Sequence, residues 1–213
     1  MLPIEVVSDI VCPWCFIGTR RLKAAVALVR AARPDFAVAV RWRPFFLNPD
    51  TPPEGEPYLP FLERKFGSRQ AVEDLFERVR AAGRAYGIEY AFEKIRLRAN
   101  TLDAHRLLHW AQAQGDADAL VERLFVAQFQ RGEHVGDRAL LAAIAGECGY
   151  PAAAAAAYLD SEQGRDAVVA LEREARHLGV RSVPTFIVDG REVVVGAEEP
   201  AVLAAAMGRA LQG

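Results

Sequence analysis

A short β-branched run, Ile4 to Val7, leads almost directly into Cys12-Pro13-Trp14-Cys15. From Arg20 onward the apolar residues Leu22, Val26 and Val29 recur at helical spacing until Arg33-Pro34-Asp35 stops them. Ala37 to Arg43 then alternates Val38, Val40 and Trp42 with other positions, the pattern of a second strand. Two strands joined through one crossover helix pair in parallel. The chain is therefore committed at its start to a βαβ unit with a cysteine pair at its first turn.

That placement defines a chemistry. Two intervening residues at the first turn of a helix bring the cysteine Cα atoms to the separation a disulfide tolerates, roughly 4.4 to 6.8 Å. Cys12 sits where unpaired backbone N–H groups and the positive end of the helix dipole converge, and such an environment favours thiolate over thiol. A thiolate is the nucleophile of thiol–disulfide exchange. Cys15, one turn inward and less exposed, is expected to attack the resulting mixed disulfide and release the substrate. A CxxC is also half of a zinc site, and His105 and His109 stand at i, i+4. Compact zinc modules, however, place about 12 to 20 residues between ligand pairs, whereas Cys15 and His105 are 90 positions apart. No metal is expected.

Between Pro44 and Pro60 six prolines (44, 49, 52, 53, 57 and 60) argue against regular structure, and this stretch reads as a linker. Helical signals follow. Val72, Leu75, Phe76 and Val79 share a face behind Ser68 as a cap, with Gly83 and Gly87 closing the segment, while Glu89 to Arg98 is ambiguous. Asn100 or Thr101 can cap a helix running to Gly115, and another passes through Leu120, Leu124 and Phe125. One more begins at Asp137 and ends at Gly149, Pro151 suits the first turn of the next, and a further one runs from about Glu162 to Leu178, ended by Gly179. The β pattern returns at Val183 to Val188 and Glu192 to Val195, joined by the Asp189-Gly190 dipeptide of a type I′ hairpin, and a helix follows Pro200. The expected topology is βαβ, helical insertion, αββα. Residues 1–50 and 170–213 would form one discontinuous α/β domain, and residues 51–169 an all-helical insertion.

At 213 residues and 52% hydrophobic the chain can bury a sizeable core, and its formal charge of −2, without a Lys/Arg cluster, gives no case for nucleic acid or an anionic membrane as partner. No apolar stretch reaches the roughly 18 residues of a membrane span; the alanines from 152 to 157 fall far short. The N-terminal residues lack the marks of a secretory signal, and three cysteines make no disulfide framework. A reducing, cytoplasmic setting is expected, in which a disulfide is transient and catalytic.

Three segments, Ser8 to Gly18, Ala99 to Leu107 and Gly179 to Phe186, together with the helical insertion, resemble the FrnE-like branch of the DsbA family of thiol–disulfide oxidoreductases, within the thioredoxin fold. The resemblance spans essentially the whole chain. It implies that Pro184 follows a cis peptide bond and faces the dithiol, and that Val183, Pro184 and Thr185 hold the substrate chain. It also implies a cleft role for Asn100 and for His105, which could assist proton transfer there, though a polar residue at a contact or surface is the plainer reading. Many thioredoxin-like proteins bury an acid six positions before the nucleophile, where this chain has Val6. Asp9 is a nearby carboxylate that either influences the dithiol or caps its loop. Pro13 and Trp14 offer no charge or imidazole to the sulfurs, so a milder oxidant than DsbA is expected. Trp14, Phe16 and Phe186 are expected around Cys12, as rim or as core. Cys148, near a helix end and without a spaced partner, reads as a small packed side chain.

The expected activity is exchange with protein or peptide thiols and disulfides, without a bound cofactor beyond the redox-active disulfide itself, and with glutathione as a candidate co-substrate. The alternatives are a glutathione-dependent isomerase or transferase on small aromatic molecules and a chaperone-like binding module. Kappa-class glutathione transferases and 2-hydroxychromene-2-carboxylate isomerases look similar in fold, but typically have serine at the position of Cys12.

Overall fold

The structure is a computed structural model and describes residues 1–212. In chain order the elements are β1 (Leu2–Ser8), α1 (Pro13–Ala32), β2 (Val38–Pro44), β3 (Glu56–Pro57), α2 (Tyr58–Phe66), α3 (Arg69–Arg84) and β4 (Leu97–Arg98). These are followed by α4 (Leu102–Gln112), α5 (Asp118–Val126), α6 (Arg138–Glu147), α7 (Ala152–Asp160), α8 (Arg165–His177), β5 (Thr185–Val188), β6 (Glu192–Val195) and α9 (Pro200–Ala210). No helix among the described residues is long and apolar enough to cross a membrane.

The chain divides into two compact units. One is Met1–Phe45 with the chain from Val169 onward, and the other is Phe46–Val168. The first break falls at the end of β2, five residues before the position expected from the prolines, and the second lies inside α8.

Among the described residues, the sheet of the first unit has four strands in the order β2-β1-β5-β6. β1 pairs in parallel with β2, Leu2 opposite Val38 and Ser8 opposite Pro44, and antiparallel with β5, Ile4 opposite Val188. As one of the two inner strands it buries Ile4, Val6 and Val7 alike, which is why its sequence is a β-branched run without clean alternation. α1 packs on α9, bringing Phe16, Ile17, Leu22 and Ala25 into one core with Leu203, Ala206 and Met207. The β5–β6 hairpin turns at Asp189 and Gly190 with φ of 54° and 67°, the two positive values that a type I′ turn requires.

The second unit is helical apart from β3 and β4, which pair antiparallel. Ser68 caps α3 by accepting from the Ala71 N–H at 3.2 Å, and Asp137 caps α6 by accepting from the Leu140 N–H at 2.9 Å. Removing such a cap costs about 1 kcal/mol; Ser68→Ala is therefore expected to lower the unfolding free energy by that amount, read as a lower urea midpoint with an unchanged slope.

Two expectations are corrected here. The proline-rich stretch is not wholly irregular: Glu56–Pro57 pairs with Leu97–Arg98, and Pro60 lies inside α2. It is tolerated because first-turn N–H groups have no intrahelical acceptor to lose. Gly83 does not end its helix, since α3 continues to Arg84 with Gly83 buried against the Tyr90 ring. Beyond α5 the chain winds on as a π turn over Ala127–Arg131, which no hydrophobic period announces.

Arg106, fully buried on α4, organises the C-terminal end of α7. Its Nε donates to Gln163 O at 3.0 Å, its Nη1 to Asp103 Oδ1 at 2.6 Å and Leu159 O at 3.2 Å, and its Nη2 to Tyr158 O at 3.0 Å and Ser161 O at 2.5 Å. All five guanidinium N–H groups are thus matched. The Tyr158 and Leu159 carbonyls are among those a helix end leaves without partners, and a cation there also meets the negative end of the dipole.

Candidate active site

Cys12 is the residue that flanks α1 at its N-terminus, and Pro13, Trp14 and Cys15 form the first turn. Pro13 fits because a first-turn N–H has no intrahelical partner to lose and because its fixed φ is already helical. The approach to the helix is fixed by backbone bonds, Cys12 N–H to Asp9 O and Cys15 N–H to Cys12 O, each 3.0 Å. Asp9 is fully buried, and its carbonyl closes the loop between β1 and α1.

Both cysteines are free thiols, Cys12 5% exposed and Cys15 1%, which makes Cys12 the more accessible of the two. They are in direct contact. Burial pushes the Cys15 thiol well above its ordinary range, and its hydrogen bond to Cys12 and the charge of that sulfur push it further. Cys15 therefore holds its proton. The backbone of Asp9 and the side chain of Ser8 act in the opposite direction.

From the other side the Cys12 Sγ donates to the Val183 carbonyl at 3.7 Å, and the Val183–Pro184 peptide bond is cis. The loop is held by Thr185 Oγ1, which donates to Ser182 O at 2.8 Å, and by Gly196 N–H, which donates to Pro184 O at 2.8 Å. Thr185 and Pro184 are buried and Val183 half-buried. Two touching sulfurs lie at a helix N-terminus, the outer one resting on the carbonyl before a cis-proline, beside a fixed backbone edge. Residues 3–208 match the DSBA-like thioredoxin domain family. The chain belongs to that family.

Among solved structures, a probable DsbA oxidoreductase from Streptomyces coelicolor is 32% identical, with a TM-score of 0.87 over 100% of this chain and 91% of that one. The cytosolic disulfide reductase DsbM from Pseudomonas aeruginosa, solved with GSH, is 18% identical, with a TM-score of 0.68 over 100% of both chains. A 2-hydroxychromene-2-carboxylate isomerase is 19% identical, with a TM-score of 0.67 over 99% of this chain and 96% of that one. The last two share the fold.

In this DsbA-like chain Trp14 is 37% exposed beside the dithiol, whereas Phe16 and Phe186 are core residues with no exposure. Asn100 and His105 belong to the helical unit. Asn100 donates to Thr51 O at 2.7 Å and accepts from the Leu102 N–H at 3.0 Å, so its amide starts α4 and ties down the loop at Thr51. His105 is buried with its ring edge-on to Phe46, centroids 5.6 Å apart. Cys148 ends α6, and burial raises its thiol above the ordinary value. Among the described residues no three His, Cys, Asp or Glu side chains gather to hold a metal ion. A cavity of about 640 Å³ in the helical unit, lined by Tyr58, Phe76, Arg80 and Phe92 among others, includes neither Cys12 nor Cys15.

Gly18 closes the Ser8 to Gly18 segment, and the sequence alone gives it no role of its own. A Cβ there would stand 2.8 Å from Pro184 Cγ and 3.1 Å from Phe186 Cζ, so α1 can lie against the proline loop only without a side chain at this position. The available signal was a glycine inside a helix, which is unfavourable by about 0.5–1 kcal/mol relative to alanine and calls for a packing reason. Gly18→Ala is expected to lose more by overpacking, about 1–3 kcal/mol, than it regains in helix propensity. It should also slow exchange by displacing Pro184, as measured by thermal unfolding alongside disulfide-reduction rates.

Proposed function

We propose that this DsbA-like protein, of the FrnE-like branch, reduces or isomerises disulfides of protein or peptide substrates in a reducing, cytoplasmic setting, with glutathione returning the electrons. The observation that carries this reading is the contact of Cys12 with Cys15 at the mouth of α1, against the Val183 carbonyl. In the reductive direction the Cys12 thiolate attacks one sulfur of a substrate disulfide. The substrate S–S bond breaks, one substrate thiolate leaves, and a mixed disulfide forms at Cys12. Cys15 then loses its proton to solvent and attacks the Cys12 sulfur, expelling the second substrate thiolate and closing the Cys12–Cys15 disulfide. Two electrons have passed to the substrate, and two glutathione thiols return them by forming glutathione disulfide. Because Cys15 must be deprotonated to attack and its burial opposes this, the second step is expected to quicken as pH rises.

Val183 and Pro184 provide the backbone edge on which an extended substrate segment lies beside Cys12. A poise of roughly −220 to −320 mV in a reducing compartment favours net reduction or isomerisation over oxidation. The intact Cys12–Cys15 pair supports exchange over the isomerase chemistry of the fold relatives that typically carry serine at the first position. The test couples glutathione, glutathione reductase and NADPH to a disulfide-bonded peptide. Turnover is expected, with a potential for the pair well below the roughly −120 mV of DsbA. A potential near that value without glutathione-driven reduction would overturn the reductive direction.

A further inference from the structure

We propose that the Ser8 hydroxyl is the hydrogen-bond donor that receives the Cys15 thiolate during turnover, and that Ser8 is thereby the positioning residue governing release of the captured substrate. The inference rests on the exchange reading above and names a residue that acts on its second step.

Ser8 is the last residue of β1. Its backbone is held on one side by pairing with Pro44 in β2 and by its carbonyl, which accepts from Phe45 N–H at 3.0 Å. The side chain is buried, and its Oγ makes no hydrogen bond of full geometry with another protein group. A buried hydroxyl without such a bond is unfavourable, so its retention calls for a reason. The reason lies beside it: the Ser8 side chain adjoins the Cys15 sulfur and is one of two groups, with the Asp9 backbone, that favour its ionised form.

A thiol that keeps its own proton gives Ser8 nothing negative to donate to. Once Cys12 is tied up in a mixed disulfide, Cys15 must carry a negative charge on a buried sulfur. A hydroxyl already in place then stabilises that charge without reorganisation. Ser8 keeps its proton throughout: the Cys15 proton goes to solvent, the bond between Cys12 and the substrate sulfur breaks, the Cys12–Cys15 bond forms, and the substrate leaves as thiolate.

The probe is 5,5′-dithiobis(2-nitrobenzoate) in stopped flow on protein carrying Cys148→Ser, which removes the third free thiol; the first thionitrobenzoate released reports capture by Cys12 and the second reports attack by Cys15. Ser8→Ala should fold at least as well as the parent, since it removes a buried hydroxyl that lacks a full hydrogen bond. Its first phase should be unchanged and its second slowed about tenfold, the size expected for one hydrogen bond to a charged group. Ser8→Thr, which keeps the hydroxyl, should restore the rate. The thiolate absorbance of Cys15, followed in a background with Cys12 and Cys148 both changed to serine, should titrate about one pH unit higher when Ser8 is alanine, the equivalent of that tenfold change. A second phase of parental rate, or a slower one with no movement of the Cys15 titration, overturns the role of Ser8. A parental protein that releases one thionitrobenzoate and never a second overturns the exchange reading itself.

Discussion

Cys12→Ser is expected to abolish disulfide exchange, lowering turnover by about three orders of magnitude or more, because a hydroxyl at that position stays protonated and cannot act as the nucleophile. Cys15→Ala should behave differently. Cys12 would still capture a disulfide, but the adjoining sulfur that releases it is gone, and a covalent adduct should accumulate that mass spectrometry reads directly. The asymmetry follows from the geometry: Cys12 is the more accessible sulfur and rests on the Val183 carbonyl, while Cys15 is sealed behind it with its proton held. Equal loss of capture in both variants would mean that the two sulfurs do not divide the work in this way. Substrate binding without turnover in the parent, unchanged in Cys12→Ser, would leave a binding module as the better description.

The largest stability effect is expected at Arg106. Arg106→Leu would leave Asp103 with Arg138 as its remaining ion-pair partner, at 2.7 Å, and would strip donors from the carbonyls of Tyr158, Leu159, Ser161 and Gln163. Breaking a buried charge pair by removing one partner costs about 3–5 kcal/mol, a large share of the roughly 5–15 kcal/mol that keeps a protein folded. Arg106→Lys keeps the charge but not the five-donor fork, and should fall between the two. Hydrogen exchange should locate the loss in α7 and the turn after it, with the amides of β1 and β5 much less affected. Uniform loss across both units would instead mean that Arg106 supports the fold globally.

Much of the first unit is legible because its signals are local. The β-branched run, the CxxC at a helix start, the alternation of Val38, Val40 and Trp42, and Asp189-Gly190 each specify their own backbone within a few residues. The pairing of Glu56–Pro57 with Leu97–Arg98 is of another kind, joining two-residue segments some forty positions apart that have no room for a period. Gly83 and Pro60 mislead for a related reason, since each is a breaker by composition and acceptable by context, one packed under Tyr90 and the other in a first turn.

At the site, the cysteines and Val183-Pro184 stand out as motifs. Ser8 and Gly18 do not, because their roles lie in what they approach: a sulfur for one, a proline ring for the other. Arg106 is harder still. In the sequence it is a charge on a helix, and only tertiary packing brings the end of α7 onto its fork.

The most direct test is a redox titration of the whole protein against glutathione, quenched by alkylation and read by peptide mass. The account predicts that Cys12 and Cys15 lose reactivity together in a single two-electron transition, linked in one peptide, while Cys148 remains alkylatable throughout. Cys12 still alkylated at the oxidising end, or Cys12 and Cys15 oxidising at separate potentials, would contradict it.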